Sequence, residues 1–276
     1  MRSSLLLLLP ATLSTLATAV AIERRHNRAW PESIRAFYTA VSDRLSTLPP
    51  KTISALTSTT CNTGSPSMPT IPDLPPVTDG LTLYHVAVGR GTQNYTCNPN
   101  DPNAIPVAAG ASATLYNTTC ISCLAPLVMA QLTGAALAIP TPKGNAPLFP
   151  AQAFASGQHY FTGPAPTFNL HTNAHNYGIQ FAAVLAKVAV PEKMIKPGRN
   201  VGKDGSKPVP WLKLSSADSL AETAPGVQQQ ALRSDGSPVQ EIYRVNTAGG
   251  SPPKTCDGMK KNFEVEYAAE YWFWRR

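Results

Sequence analysis

Residues able to do chemistry occur at several places in this chain, and at each the spacing decides which chemistry is open. In His171-Thr172-Asn173-Ala174-His175 two imidazoles would share one helix face, the arrangement zinc sites use. Asn173, Asn176 and Gly178 favour a loop there, however, and no Glu stands between the histidines. Cys120-Ile121-Ser122-Cys123 has thioredoxin-type spacing but lacks the βαβ pattern that gives such a motif its meaning. Gly89-Arg90-Gly91 begins like a dinucleotide fingerprint, yet Asn94 falls where the third glycine belongs and a strand follows instead of a helix. Gly198 to Asp204 resembles a phosphate loop with too few residues between its glycines and Asp204 in place of the metal-binding hydroxyl. No metal and no cofactor is expected.

The carboxylates and aromatics of the C-terminal segment offer more. Apolar groups at Phe263, Val265, Tyr267, Ala269, Tyr271 and Phe273 alternate with Glu264, Glu266 and Glu270, the period of a strand with one face in a core. The opposite face carries the three glutamates together with Trp272 and Trp274. Two carboxylates flanking one bond would serve a glycosidase. Two indoles about 7 Å apart along a strand would stack on a sugar chain, with Glu270 binding hydroxyls. The competing reading covers both indoles with the amphipathic helix of Trp30 to Leu48. His159 is either a ligand-binding or basic group, or a core histidine donating to a carbonyl. No Gly-x-Ser-x-Gly elbow occurs, which disfavours an α/β-hydrolase.

Positioning these groups falls to strands. Alternation or β-rich composition marks Leu81 to Gly89, Thr92 to Cys97, Val107 to Tyr116, His159 to Phe161, Thr167 to Leu170 and Gln180 to Val190. Val209 to Leu214, Val239 to Thr247 and Phe263 to Trp274 complete the set. Thr247-Ala248-Gly249-Gly250-Ser251-Pro252-Pro253 is turn chemistry between the last two. Gly- and Pro-rich connections without regular helix alternation predict an all-β fold, a mainly antiparallel sandwich or barrel. One short inserted helix is expected to start near Pro126. Trp30, Ile34, Phe37, Tyr38, Val41, Leu45 and Leu48 fall at helical spacing behind Pro31 and predict an N-terminal amphipathic helix. Trp211, Tyr243, Tyr267, Tyr271 and Phe273 are the expected core.

The amino terminus sets the compartment. Met1-Arg2-Ser3-Ser4, the apolar run from Leu5 and the small residues near Ala19 to Ala21 read as a secretory signal peptide over 1–21. Pro10 and the charges that follow argue against a transmembrane anchor. Residues 22–74 form a helix and a Pro/Thr/Ser-rich extension, and 75–276 a single β-rich domain. Export gives meaning to the sequons at Asn94 and Asn117 and makes disulfides expected among the five cysteines, one of which must be left over. Spacing alone does not choose their connectivity. Net charge is +7, with only 14% of residues charged. Its excess gathers at Lys193, Lys196, Arg199, Lys203 and Lys207, which read as a solvated loop or as a patch for anionic wall polymers or acidic lipids. Nucleic acid is not an expected partner, since no reading helix or stacking motif is present.

The segments Gly91 to Cys97, Ala113 to Tyr116, His159 to Phe161, Val209 to Leu214 and Ile242 to Gly250, then Tyr267 to Phe273, resemble a secreted family of unknown function found in fungi and, in shorter form, in bacteria. The resemblance spans roughly Pro75 to Trp274. Members are loosely labelled malate dehydrogenase, but a NAD-dependent malate dehydrogenase is disfavoured here because no phosphate site supports it. The resemblance implies a fold and a compartment and carries no catalytic residue. It places Cys97 at the end of one family-like strand and Cys256 before the last, which implies Cys97 with Cys256 and Cys61 with Cys120, leaving Cys123. The expected protein is a disulfide-bonded glycoprotein, extracellular or in the cell wall, whose partner is wall polysaccharide or another extracellular protein. A secreted carbohydrate-active hydrolase is the alternative.

Overall fold

A computed structural model describes residues 68–138, 155–172, 176–217 and 238–276. The expected N-terminal helix, Cys61 and His175 lie outside them. Eight antiparallel strands close a barrel in which every strand pairs with its neighbours in sequence: β1 (Thr82–Thr96), β2 (Val107–Asn117), β3 (Ala155–Thr162), β4 (Ala165–His171), β5 (Asn176–Val188), β6 (Trp211–Ser216), β7 (Val239–Gly249) and β8 (Asn262–Arg275). Closure comes from the long β1–β8 ladder, which runs from Thr82↔Arg275 to Thr96↔Asn262. Two helices, α1 (Thr119–Leu124) and α2 (Pro126–Ala138), follow β2, separated only by Ala125. Pro126 opens α2, where its missing N–H costs nothing. Among the described residues no helix is long and apolar enough to cross a membrane.

Where β1, β6, β7 and β8 form it, the barrel wall is buried on both sides. Alternation along the strands sends Ala87, Leu115, Phe168, Leu214, Ile242, Tyr267, Tyr271 and Phe273 into the lumen. The other parity sends Val86, Val88, Trp211, Tyr243, Val245, Trp272 and Trp274 outward, where Ile71 and Met129 of α2 cover them. The five expected core residues are all buried, but they divide: Tyr267, Tyr271 and Phe273 fill the lumen, while Trp211 and Tyr243 belong to the outer layer.

Polar groups fasten the cover to the wall. Arg90 Nε donates to the Ala136 carbonyl in the last turn of α2, and its Nη2 pairs with Glu266 at 2.9 Å. A cation at a helix C-terminus satisfies carbonyls that have no partner within the helix. Asn246 Nδ2 donates to the Ala130 carbonyl of the same helix. Lys213 Nζ pairs with Glu241 at 2.8 Å and donates to the Pro76 carbonyl, while the Thr78 hydroxyl and N–H both donate to Glu241. Burial pushes the Glu241 carboxyl up, and the hydrogen bonds from Lys213 and Thr78 outweigh it and hold it below its ordinary range.

Gly89-Arg90-Gly91, expected to interrupt the first strand, lies inside β1. A Cβ on Gly89 would come within 2.7 Å of the Tyr271 ring, and one on Gly91 would collide with the Ser112 carbonyl of β2. These glycines let an aromatic ring cross the lumen and two strands close up, a packing role with no phosphate turn in it. A disulfide joins Cys97, where β1 ends, to Cys256, just ahead of β8. Cys120 is disulfide-bonded, and Cys123 is a half-buried free thiol.

Candidate ligand site in the barrel

The β4–β5 ladder is the weak seam of the wall. It stops at Thr167↔Phe181, while β5 runs on beside β6 as far as Val188↔Trp211. Pro166 has no N–H with which to extend the ladder. Val184 stands opposite Leu214, a lumen residue, and yet is 51% exposed. Phe161, paired with Pro166 on β3–β4, is likewise partly exposed. A cavity of about 300 Å³ enters at this opening and reaches His159, Phe168, Leu212, Arg244 and Tyr271. That volume holds roughly ten groups of water size at ~30 Å³ each, within the lower range of small-molecule sites.

Arg244 is the polar centre of the cavity. It lies on β7 between Leu212 of β6 and Tyr271 of β8 in register, on the same inward parity as Ile242. The residue is only 9% exposed, its Nη2 donates to the Pro210 carbonyl at 3.0 Å, and its Nε has no hydrogen-bond partner. Among the described residues no carboxylate forms an ion pair with it; the three pairs present are Arg90–Glu266, Lys207–Glu192 and Lys213–Glu241. The phenol of Tyr271 is raised by burial, against the opposing charge and hydrogen bond of Arg244.

His159 shares this cavity. Its Nδ1 lies 2.9 Å from the Thr167 carbonyl, which can only accept, so Nδ1 carries the proton and Nε2 is left as an acceptor. The ring stacks on Phe168 at 4.3 Å. Burial pushes its pKa down to about 4, with the Arg244 charge adding to the effect, and the imidazole is neutral at neutral pH.

The sequence-derived candidates fall elsewhere. Trp272 and Trp274 stack on each other at 6.5 Å but are 0% and 7% exposed beneath the outer cover. No sugar ring can reach them there. The expectation of a solvent-facing aromatic pair fails because this face of β8 is covered from Ala268 to Trp274. Glu270 is fully buried as well, accepting from Asn246 Nδ2 at 2.7 Å and from Trp272 Nε1 at 2.9 Å. Burial raises its pKa to about 7 against the pull of those two donors. Glu264 and Glu266 are exposed nearer the start of β8, so the three carboxylates share a strand face without sharing a cleft.

His85 sits between two hydroxyls, Ser156 at 3.1 Å from Nε2 and Thr119 at 3.2 Å from Nδ1, and stacks on Tyr177. A serine beside an imidazole has the outline of a nucleophile and its base, but both groups are 1% exposed and the third member is a threonine. His171 is exposed at the end of β4. Among the described residues no three metal-ligating side chains come together. Asn94, two residues before the end of β1, and Asn117, at the end of β2, are half-buried; Asn117 Oδ1 accepts from the Thr119 N–H.

Sequence reasoning missed Arg244. The signal was present: an arginine alternating with Ile242 on a strand whose other parity holds Tyr243 and Val245 has no solvent-facing side to occupy.

A family model described as a protein of unknown function, DUF3455, matches residues 77–275. The chain belongs to that family. The matched span takes in the whole DUF3455 barrel, from the segment bonded to Glu241 through β8, and so includes every residue of the cavity. No curated protein and no solved structure matches the chain.

Proposed function

We propose that this DUF3455 protein is an exported, disulfide-stapled binding protein that holds a small, largely apolar molecule in its barrel without turning it over. The observation that carries this reading is the cavity of about 300 Å³ opening where the β4–β5 ladder stops. Its apolar lining supplies affinity, and a few convergent polar groups supply orientation. The signal-peptide pattern and the Cys97–Cys256 bridge support an extracellular or wall-associated setting. Glycans at Asn94 and Asn117, and the fungal or bacterial origin suggested by the resemblance, belong to the same proposal. Sugar binding through Trp272 and Trp274 loses its support because both indoles are covered, and among the described residues no cleft joins an acid to a base for a hydrolase. A dehydrogenase reading has a glycine pair that serves strand packing in β1.

Binding of a neutral apolar dye of about ten non-hydrogen atoms, such as azulene, followed by quenching of the protein's fluorescence, tests the proposal. One saturable site is expected in the wild type, blocked by Ala183→Trp at the exposed mouth and by Ala182→Leu deeper in. No binding, or binding untouched by both substitutions, would sink it.

A further inference from the structure

Most of the cavity wall is hydrocarbon and aromatic ring, so an apolar molecule would suffice to fill it, yet the wall also holds a cation. A guanidinium that is nine-tenths buried and has no carboxylate is costly unless something supplies the missing charge. The other two buried cations of the barrel wall have that charge supplied from within the chain: Arg90 by Glu266 and Lys213 by Glu241. Arg244 alone among these three faces the cavity, and its Nε–H is without an acceptor. Donors beside it point the same way. Tyr271 offers a phenol in contact with Arg244, and the Tyr267 and Tyr271 hydroxyls lie 3.0 Å apart; with Tyr267 donating that shared bond, the Tyr271 O–H is left to donate to a ligand. The remaining lining, from Leu212, Leu214, Phe168 and Ala182 out to Val184, accepts a hydrocarbon body.

We infer that the ligand is an apolar monocarboxylate, its carboxylate on Arg244 and Tyr271 and its hydrocarbon body running out toward Val184 and Phe161. This deepens the binding-protein reading and rests on it. The site takes a compact acid of roughly ten non-hydrogen atoms, given a volume equal to about ten water-sized groups. A carboxylate matches the planar fork of a guanidinium, which a neutral hydroxyl cannot replace. An ammonium head would be repelled.

Titration calorimetry of the full-length protein with octanoate, octanol and octylammonium distinguishes the outcomes. Octanoate is expected to bind at least tenfold more tightly than octanol, octylammonium should not bind, and Arg244→Met should abolish the preference for octanoate over octanol. The comparison of the three ligands on the wild-type protein needs no variant and decides the question even if Arg244→Met fails to fold. Equal affinity for octanoate and octanol overturns the carboxylate assignment and leaves the binding barrel standing. Failure of all three ligands, together with failure of the apolar dye, overturns both.

Discussion

Lys213 and Arg244 stand almost side by side on neighbouring strands, Arg244 opposite Leu212 in the ladder, and they meet contrasting surroundings. Lys213 points out of the barrel into a closed network of Glu241, Thr78 and Pro76, where every charge has a counterpart. Arg244 points in and ends at a cavity with an unbonded Nε. The outer layer is built for holding the chain around its wall. The inner one keeps unmet polarity in a place where a small molecule can enter. On the proposed reading, stability and binding are divided between the two faces of one sheet.

Breaking the outer pair should give the largest effect. Glu241→Gln leaves Lys213 buried and uncompensated, and a loss of about 3 kcal/mol in urea unfolding is expected. Replacing both partners, Lys213→Met with Glu241→Leu, should recover most of it. Arg244→Met should instead leave stability within about 1 kcal/mol of wild type or raise it, because a cation with no carboxylate partner is removed. A loss at Arg244 as large as that at Glu241 would erase the contrast.

Two buried titratable groups sharpen it further, with opposite signs. His159, lowered from 6.5 to about 4, binds its proton more readily unfolded; stability is fully present above pH 6.5 and is lost as the pH falls toward 4. Glu270, raised from 4.5 to about 7, behaves in reverse: its contribution is present below pH 4.5 and is lost as the pH rises through 7. Each shift corresponds to about 3 kcal/mol. In the wild type the two slopes oppose each other between about pH 4.5 and 6.5, and stability should be nearly flat there. His159→Phe should unmask the outer-layer group, giving a protein that gains stability on acidification from pH 7 to 4.5. Glu270→Gln should unmask the lumen group, giving one that loses stability between pH 6.5 and 4. Urea midpoints across this range would show it, and parallel profiles for both variants would contradict the assignment of either group.

Much of the wall was legible in the sequence because alternation is a local property. Tyr267, Tyr271 and Phe273 read correctly as inward on β8, and the pattern locates the last two strands, although β7 runs on to Gly249 through residues that read as turn chemistry. The outer layer was not legible. Alternation told which residues share a face, whereas the burial of Trp272 and Glu270 depends on α2 and residues 68–81, which reach that face through tertiary packing. The glycine pair of β1 read as a break because a glycine's permissiveness is visible in sequence while the ring that Gly89 accommodates, Tyr271, lies 182 positions away in the chain. Closure of β1 on β8 is a pairing of the same remote kind. As for the site, the opening depends on where one ladder ends, a matter of register that Pro166 hints at but does not determine.

Unfolding of the wild type and of Arg244→Met in urea, each with and without octanoate, tests the division of labour most directly. At a hundredfold excess of octanoate over its dissociation constant, the wild type should gain about 2.7 kcal/mol, the amount that binding to the folded state alone supplies. Arg244→Met should gain no more than about 1.4 kcal/mol at the same concentration, since its affinity falls at least about tenfold. Equal gains in the two proteins, or none in the wild type, would contradict the claim that the lumen keeps a cation for a ligand's charge.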